Sequence, residues 1–164
     1  MAGFQGMTRK EKTVRTTVIA FALALAVFMT TAAAAGQGAT GPAQIPISGQ
    51  QTSYTRVDVG KKHTSPGDME IVRYRLYNRR VTTKALGSAE LVCTFTTATS
   101  RVCRGTYNLP RGKIVVGGSI QYRQLYELAV LGGTGIYDNA RGTMTSTRIN
   151  RVPRREFFLF RLVG

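Results

Sequence analysis

Four polar side chains stand on otherwise apolar faces of short alternating segments, where they could do chemistry: Glu70, Tyr74, Tyr126 and Glu156. A carboxyl group at the mouth of an apolar cavity can act as a general acid or base, and a tyrosine hydroxyl can orient a carbonyl group. We therefore take these four as candidate catalytic residues. The structural alternative for each is a carboxylate that meets water at the rim, or a tyrosine hydroxyl that bonds to backbone.

The apolar residues that alternate with these groups would line the same cavity and contact a substrate. They are Val72, Leu76, Phe95, Leu128, Val130, Met144, Phe158 and Phe160. A barrel with such a lining is either filled by its own side chains or just wide enough for one small ligand. The sequence leaves both cases open.

Other common chemistries lack the residues they need. His63 is the only histidine and lies in an apparent loop beside lysines, which argues against a Ser/His/Asp set and against transition-metal catalysis. Gly132-Gly133-Thr134-Gly135 has neither the Lys of a P-loop nor a helix after it, so it predicts a tight turn with positive φ. We expect no metal and no cofactor.

The elements that must position these residues are strands, because short alternating runs are separated by turn residues. The predicted strands cover residues 54–59, 69–78, 89–97, 102–109, 113–120, 124–131, 141–149 and 155–162. Eight short strands favour a sandwich or a closed antiparallel barrel, and closure would leave no exposed strand edge. The predicted fold class is therefore all-β.

Cys93 and Cys103 are the only cysteines. A bridge between them would close a short loop and contribute roughly 3 kcal/mol by the chain-entropy estimate. A metal site would need more ligands than two cysteines and one histidine provide. We expect a structural disulfide.

The N-terminus is typical of a secretion signal. Basic residues precede the apolar run 18–29, and small residues then end at Ala35, after which we expect cleavage. An uncleaved membrane anchor is the alternative, and is the one way in which the membrane would be a partner. Residues 36–52 are rich in Gly, Pro and Gln and predict a flexible linker, in which Ile45 and Ile47 alone hint at an edge strand. Residues 53–164 would form the barrel of a secreted protein.

The chain carries a formal net charge of +15. Removing residues 1–35 takes away four of the 23 basic residues and one of the eight acidic ones, and leaves +12. Such an excess can bind anionic polymers. The basic residues are scattered, however, so we expect a solvated exterior, with nucleic acid an unlikely partner.

The segment between Cys93 and Gly142 resembles the allene oxide cyclase and dirigent barrel superfamily, including its small exported bacterial members. The resemblance rests on VCTFTTATSRVCRGTYNLPRGKIVVGG followed by LAVLGGTGIYDNARGTM. It implies an eight-stranded antiparallel barrel with a hydrophobic cavity and reactions that use no cofactor.

The function that this resemblance implies is a cyclase or isomerase. It would hold a polyketide-, polyene- or fatty-acid-like substrate in one reactive conformer and steer a stereoselective cyclisation, such as a [4+2] cycloaddition. A secretion signal is unusual for such an enzyme and favours the alternative of a non-catalytic, dirigent-like binding barrel. The third possibility is a basic surface that binds anionic polymers. The expected partner is a small hydrophobic ligand, with a homo-oligomer also possible.

Overall fold

The computed structural model describes residues 43–60, 62–79, 83–121 and 123–163. The strands are β1 (Ala43–Val57), β2 (Met69–Asn78), β3 (Ala85–Phe95), β4 (Arg101–Leu109), β5 (Gly112–Ile120), β6 (Leu125–Gly133), β7 (Arg141–Arg151) and β8 (Arg154–Val163). Each pairs antiparallel with its neighbours in the chain, and β8 pairs back to β1. This confirms the predicted all-β, eight-stranded closed barrel. One turn of 3-10 helix, Gly135–Tyr137, lies between β6 and β7.

The first strand begins earlier than the composition indicated. Residues 43–52, which we assigned to the linker, belong to β1, where Ile45 pairs with Phe160 and Ile47 with Phe158 of β8. These residues are needed to close the barrel, because β1 must reach along both β2 and β8. Composition did not indicate this strand, because Gly and Gln within β1 are residues typical of flexible linkers. The predicted signal peptide and residues 36–42 lie outside the described residues.

Side chains alternate between the interior and the surface, as the sequence predicted. In β2, Val72 and Leu76 are buried while Arg73 and Arg75 are exposed. The same period of two recurs in β8, in which positions 156, 158, 160 and 162 are buried. Burying these apolar faces contributes roughly 25 cal/mol for each Å² removed from water, which fixes the register of each strand.

Aromatic side chains fill the middle of the barrel. Tyr107 is fully buried, and its ring meets those of Phe158 and Phe160 edge-to-face at centroid distances of 5.1 and 4.9 Å. Tyr74 contacts Phe158 in the same way at 5.3 Å. Such pairs contribute beyond their buried area. The interior at this level is therefore solid.

The two ends of the barrel differ in chemistry. Antiparallel pairing places the beginnings of β2, β4, β6 and β8 at the same end, together with the connections 58–68, 96–100, 121–124 and 152–153. Charged and hydroxyl side chains gather there, at or just after the first residue of each of these four strands. We call this the charged end.

Glycines shape the opposite end. Gly135 has φ +65°, and a Cβ on it would lie 2.3 Å from the carbonyl oxygen of Arg111. Gly112 approaches the loop as closely, since its Cβ would lie 2.0 Å from the carbonyl oxygen of Thr134. The glycine cluster therefore packs a tight connection onto the β4–β5 turn, which confirms that reading over a phosphate-binding loop.

The predicted disulfide is present. Cys93 of β3 and Cys103 of β4 are directly opposed, with Cα atoms 4.0 Å apart. Both side chains are buried and point into the barrel near the charged end. No helix among the described residues has the length and apolar character that crossing a bilayer would require.

Candidate active site

The four candidate catalytic residues come together at the charged end. Glu70, Tyr74 and Tyr126 line one small cavity, and Glu156 accepts a hydrogen bond from Tyr126. They come from β2, β6 and β8, so the barrel brings together residues up to 86 positions apart in sequence. Alternation predicted that each points inward, and closure of the barrel makes them neighbours.

Glu156 is buried and holds the first of two polar clusters. Its Oε2 atom accepts hydrogen bonds from the hydroxyls of Ser146, at 3.0 Å, and Tyr126, at 3.3 Å. Its Oε1 atom accepts two from Arg154, from Nε at 3.1 Å and Nη2 at 2.9 Å. A buried carboxylate persists only when it is paired and hydrogen-bonded in this way.

Glu70, also buried, holds the second cluster. Its Oε1 atom accepts a hydrogen bond from the hydroxyl of Tyr54 at 2.7 Å and another from Nη2 of Arg123. Its Oε2 atom lies 3.5 Å from Nε of Arg101. Arg101 is buried against the ring of Phe95, with its guanidinium carbon 5.6 Å from the ring centroid.

The tyrosines of the site are held as proton donors. Burial raises the pKa of Tyr126, and the neighbouring charge of Glu156 raises it further. Burial likewise raises the pKa of Tyr74, with smaller contributions from Tyr126 and Glu156. Both hydroxyls therefore stay protonated at neutral pH and can donate to a substrate oxygen, so any general base in the site must be a carboxylate.

The arrangement supports acid–base chemistry and orientation of an apolar molecule. The Tyr126 hydroxyl donates its one proton to Glu156, so a substrate carbonyl oxygen would be polarised by Tyr126 only if it replaced Glu156 as the acceptor. The guanidinium of Arg154 in turn fixes Glu156. The groups are thus held by a second layer of contacts.

The predicted substrate-contacting residues are all buried, but they do not enclose an open space. Val72 lines the cavity, whereas Leu76, Leu128, Met144, Phe158 and Phe160 belong to the packed core, as does Val130. Phe95 packs against Arg56 and Arg101. The cavity holds about 20 Å³, the size of one water molecule. Of the two cases left open by the sequence, the described structure shows the filled barrel.

Sequence reasoning missed the arginines of the site. Arg101, Arg123 and Arg154 line the cavity, and Tyr54 lines it as well. Alternation could have found two of them: Arg101 is two residues before Cys103, and Arg154 two before Glu156, which places each on the inner face. Arg123 lies in a connection between strands, where no period applies.

No protein-family model matches the chain, and no curated protein matches it either. Solved structures do match. A pyocyanin demethylase is 25% identical, covers 74% of this chain and 100% of its own, and superimposes with a TM-score of 0.66. A Diels-Alderase, AbmU from Streptomyces koyangensis, is 15% identical with a TM-score of 0.61, over 78% of this chain and 72% of its own.

A dirigent protein is also among the solved structures with this fold. A pterocarpan synthase dirigent protein is 15% identical with a TM-score of 0.52, over 74% of this chain and 87% of its own. The chain has the same eight-stranded barrel fold as these proteins, in agreement with the fold expected from its resemblance to the allene oxide cyclase and dirigent type. At 15% identity, the likeness to the Diels-Alderase and to the dirigent protein shows the barrel fold and nothing finer. The comparisons therefore show the barrel fold, and the chemistry has to be argued from the residues of the charged end.

Proposed function

We propose that this chain is an enzyme that binds a small, largely apolar substrate at the charged end of its barrel and steers a stereoselective cyclisation or isomerisation. A [4+2] cycloaddition is one reaction of this class. The observation that carries the proposal is the convergence of Glu156, Tyr126 and Tyr74 beside one cavity inside an otherwise apolar barrel.

The polar clusters support function because the fold does not need them. Buried ion pairs are often no more stabilising than apolar residues of similar volume. Two buried glutamates with arginine partners therefore contribute little to folding that apolar side chains could not. The neighbouring Tyr74, Tyr126 and Arg101 have shifted pKa values, and clusters of titratable groups with shifted pKa values are typical of active sites.

Binding requires the charged end to open. Ligand sites usually hold about 300 Å³ or more, whereas this cavity holds about 20 Å³. Arg123 lines the cavity, yet its side chain is 43% exposed, so it lies between the cavity and solvent. We propose that a substrate enters by displacing this side chain.

The test is turnover of a defined substrate panel by the purified chain. Conjugated polyenes with a tethered dienophile are incubated with wild type, Y126F and Y77F, and products are separated on a chiral column. We expect one stereoisomer to form with wild type and with Y77F, whose tyrosine is on the outer face of β2. Y126F should slow the reaction about tenfold or more, since one oriented donor is worth that much. Saturable binding with no product would favour a dirigent-like or purely binding role.

A second candidate reaction is demethylation. It is favoured by the pyocyanin demethylase, the one of the three reported neighbours that reaches 25% identity, and by the match over that chain's whole length. The panel therefore includes pyocyanin, whose N-methyl carbon would leave as formaldehyde with oxygen from water while the phenazine ring accepts the two electrons. The demethylated phenazine is followed by mass spectrometry and formaldehyde by a trapping reagent. Conversion of pyocyanin without conversion of any polyene would show that the reaction is demethylation and would contradict the proposed cyclisation.

We further propose that the protein acts outside the cytoplasm. A buried disulfide supports this, because such bridges persist in oxidising compartments. Cell fractionation with a C-terminal tag tests it, with N-terminal sequencing to locate a cleavage after Ala35. Recovery of a full-length chain from the cytoplasm would contradict it.

A further inference from the structure

Arg101 has a donor that the protein does not use. Its side chain is only 7% exposed, and its Nε–H makes no hydrogen bond within the described part of the chain. Oε2 of Glu70 lies 3.5 Å from that nitrogen without forming a hydrogen bond. An unused buried donor costs free energy unless something else accepts from it.

The charges around the cavity do not balance. Three guanidinium groups line it, those of Arg101, Arg123 and Arg154, and their carboxylate partners are Glu70 and Glu156. Glu156 is matched by Arg154, so Glu70 is shared by the other two arginines. Nearby Arg56 does not change this count, because it has its own partner in Asp68 at 2.9 Å. One positive charge is left over.

The excess charge is placed on the most buried arginine of the three. Burial lowers the pKa of Arg101. The negative charge of Glu70 raises that pKa, and the positive charge of Arg123 lowers it. An additional anion in the cavity would accept a hydrogen bond from Nε of Arg101 and would neutralise the excess positive charge. It would have to be small, because the cavity beside Val72 and Leu91 holds only about 20 Å³.

We propose that the cavity is a subsite for the carboxylate group of a substrate, which accepts a hydrogen bond from Nε of Arg101. The planar guanidinium matches a planar carboxylate, and such charge-assisted bonds are short and strong. This inference rests on the proposed function and narrows its substrate to one with an acidic head and an unsaturated apolar remainder. The apolar part would extend out of the cavity toward the opening of the barrel at the charged end.

The experiment measures binding without turnover. Sorbate, a conjugated diene carboxylate, and sorbamide, its neutral amide, are titrated into the full chain by calorimetry. The salt concentration is about 0.3 M, at which exposed charges are largely screened. The variants are R101Q and R104Q; Arg104 is three residues further along β4 and exposed on the outer face. Melting curves establish that each variant is folded.

We expect wild type to bind sorbate about tenfold or more tightly than sorbamide, as one charge-assisted bond provides. R104Q should keep that ratio, and R101Q should reduce it to about one. Equal binding of the two compounds to wild type would overturn the subsite, and this ratio is informative even if R101Q does not fold. Loss of the ratio in R104Q would overturn it too, since binding would then be to the outer surface.

Two further outcomes separate related ideas. Inorganic phosphate that displaces sorbate at similar concentration would assign the cavity to phosphate and overturn the carboxylate proposal. Sorbate binding that depends on Arg101, combined with no turnover of any panel substrate, would support the subsite while removing the proposed enzymatic function. The two proposals therefore fail separately.

Discussion

A single buried carboxylate shows how much of this site is held by charge. Glu156 is 1% exposed, and Arg154, Ser146 and Tyr126 all donate to it. In E156Q the guanidinium of Arg154 loses its counter-charge. The amide NH₂ group of the new side chain also lies against donors of Arg154, Ser146 or Tyr126, which need an acceptor there. We expect the free energy of unfolding to fall by about 3 kcal/mol, as when one partner of a buried pair is removed.

Urea unfolding followed by circular dichroism measures this change. The matched control is E90Q, which removes an exposed partner from the surface pair Arg73–Glu90. Surface pairs contribute about 0–1 kcal/mol. Equal losses of unfolding free energy in E156Q and E90Q would show that the buried pair contributes no more to stability than the surface pair.

Tyr107, which is fully buried, and Tyr126, which is half-buried, should respond in opposite ways to loss of the hydroxyl. The hydroxyl of Tyr107 is fully buried and has the sulfur of Met144, at 4.0 Å, as its partner, whereas that of Tyr126 bonds to Glu156. Y107F removes a poorly satisfied polar group and should leave stability unchanged or raise it by up to about 1 kcal/mol. Y126F should lower stability by about 1–2 kcal/mol, because Glu156 loses a donor.

The same unfolding measurement as a function of pH adds a second check on Tyr107. Burial raises its pKa, so its contribution is intact below about pH 10, the pKa of an unfolded tyrosine, and is lost as pH rises above that value. Y107F should therefore lose less stability than wild type at alkaline pH. A Y107F protein that is clearly less stable at neutral pH would contradict the reading.

At the scale of the element, the strands were predictable because alternation is a local signal. The inner faces of β2, β6 and β8 follow from the period of two, and with them the inward direction of Glu70, Tyr126 and Glu156. What each glutamate meets is not local. Arg123 reaches Glu70 from 53 residues away, and no pattern in the sequence encodes that distance.

The first strand shows the other limit. Residues 43–52 have few strongly apolar side chains, yet they pair along β8 from Ala43 to Gln50. Their strand conformation is set by the two neighbours they join and not by their own preference. Composition therefore assigned to a linker what closure of the barrel makes a strand.

The β1–β2 connection at the charged end is organised by Asp68. Its carboxylate accepts hydrogen bonds from the backbone N–H groups of Val59, at 2.9 Å, and Ser65, at 3.0 Å, and from Arg56. These backbone bonds hold the pKa of Asp68 well below its usual value. Its contribution to stability is present above about pH 4, the unfolded pKa of an aspartate, and is lost as pH falls below it.

We therefore expect D68N to be less stable than wild type at neutral pH and to lose less on acidification, so that the two proteins converge at low pH. Thermal melting between about pH 7 and pH 2 follows this convergence. D58N, in the exposed part of the same connection, serves as the control and should track wild type. Parallel curves for D68N and wild type would remove Asp68 as the acid-sensitive group.

For the whole molecule, the main physical question is how a filled barrel admits a ligand. Aromatic packing around Tyr107 closes the middle, so space can be made most easily at the charged end, where polar side chains and connections meet. A protein whose open form is a minor state binds more weakly by the fraction that is open. Mutations that favour the open form should therefore increase affinity and association rate without new contacts.

Arg123 is the side chain with which to test this. It bonds to Glu70, and its backbone carbonyl accepts a hydrogen bond from Arg148. R123A would remove the side chain from the mouth and leave that backbone bond in place. An increase of the open population from about 1% to about 10% would speed association about tenfold. Stopped-flow tyrosine fluorescence with sorbamide, which is neutral, measures the association rate without a change in charge attraction.

The control is R151A, which removes an exposed arginine at the same end and should leave the association rate unchanged. An unchanged rate in R123A would instead point to entry past the glycine turns of the opposite end, because a ligand that enters there never meets Arg123.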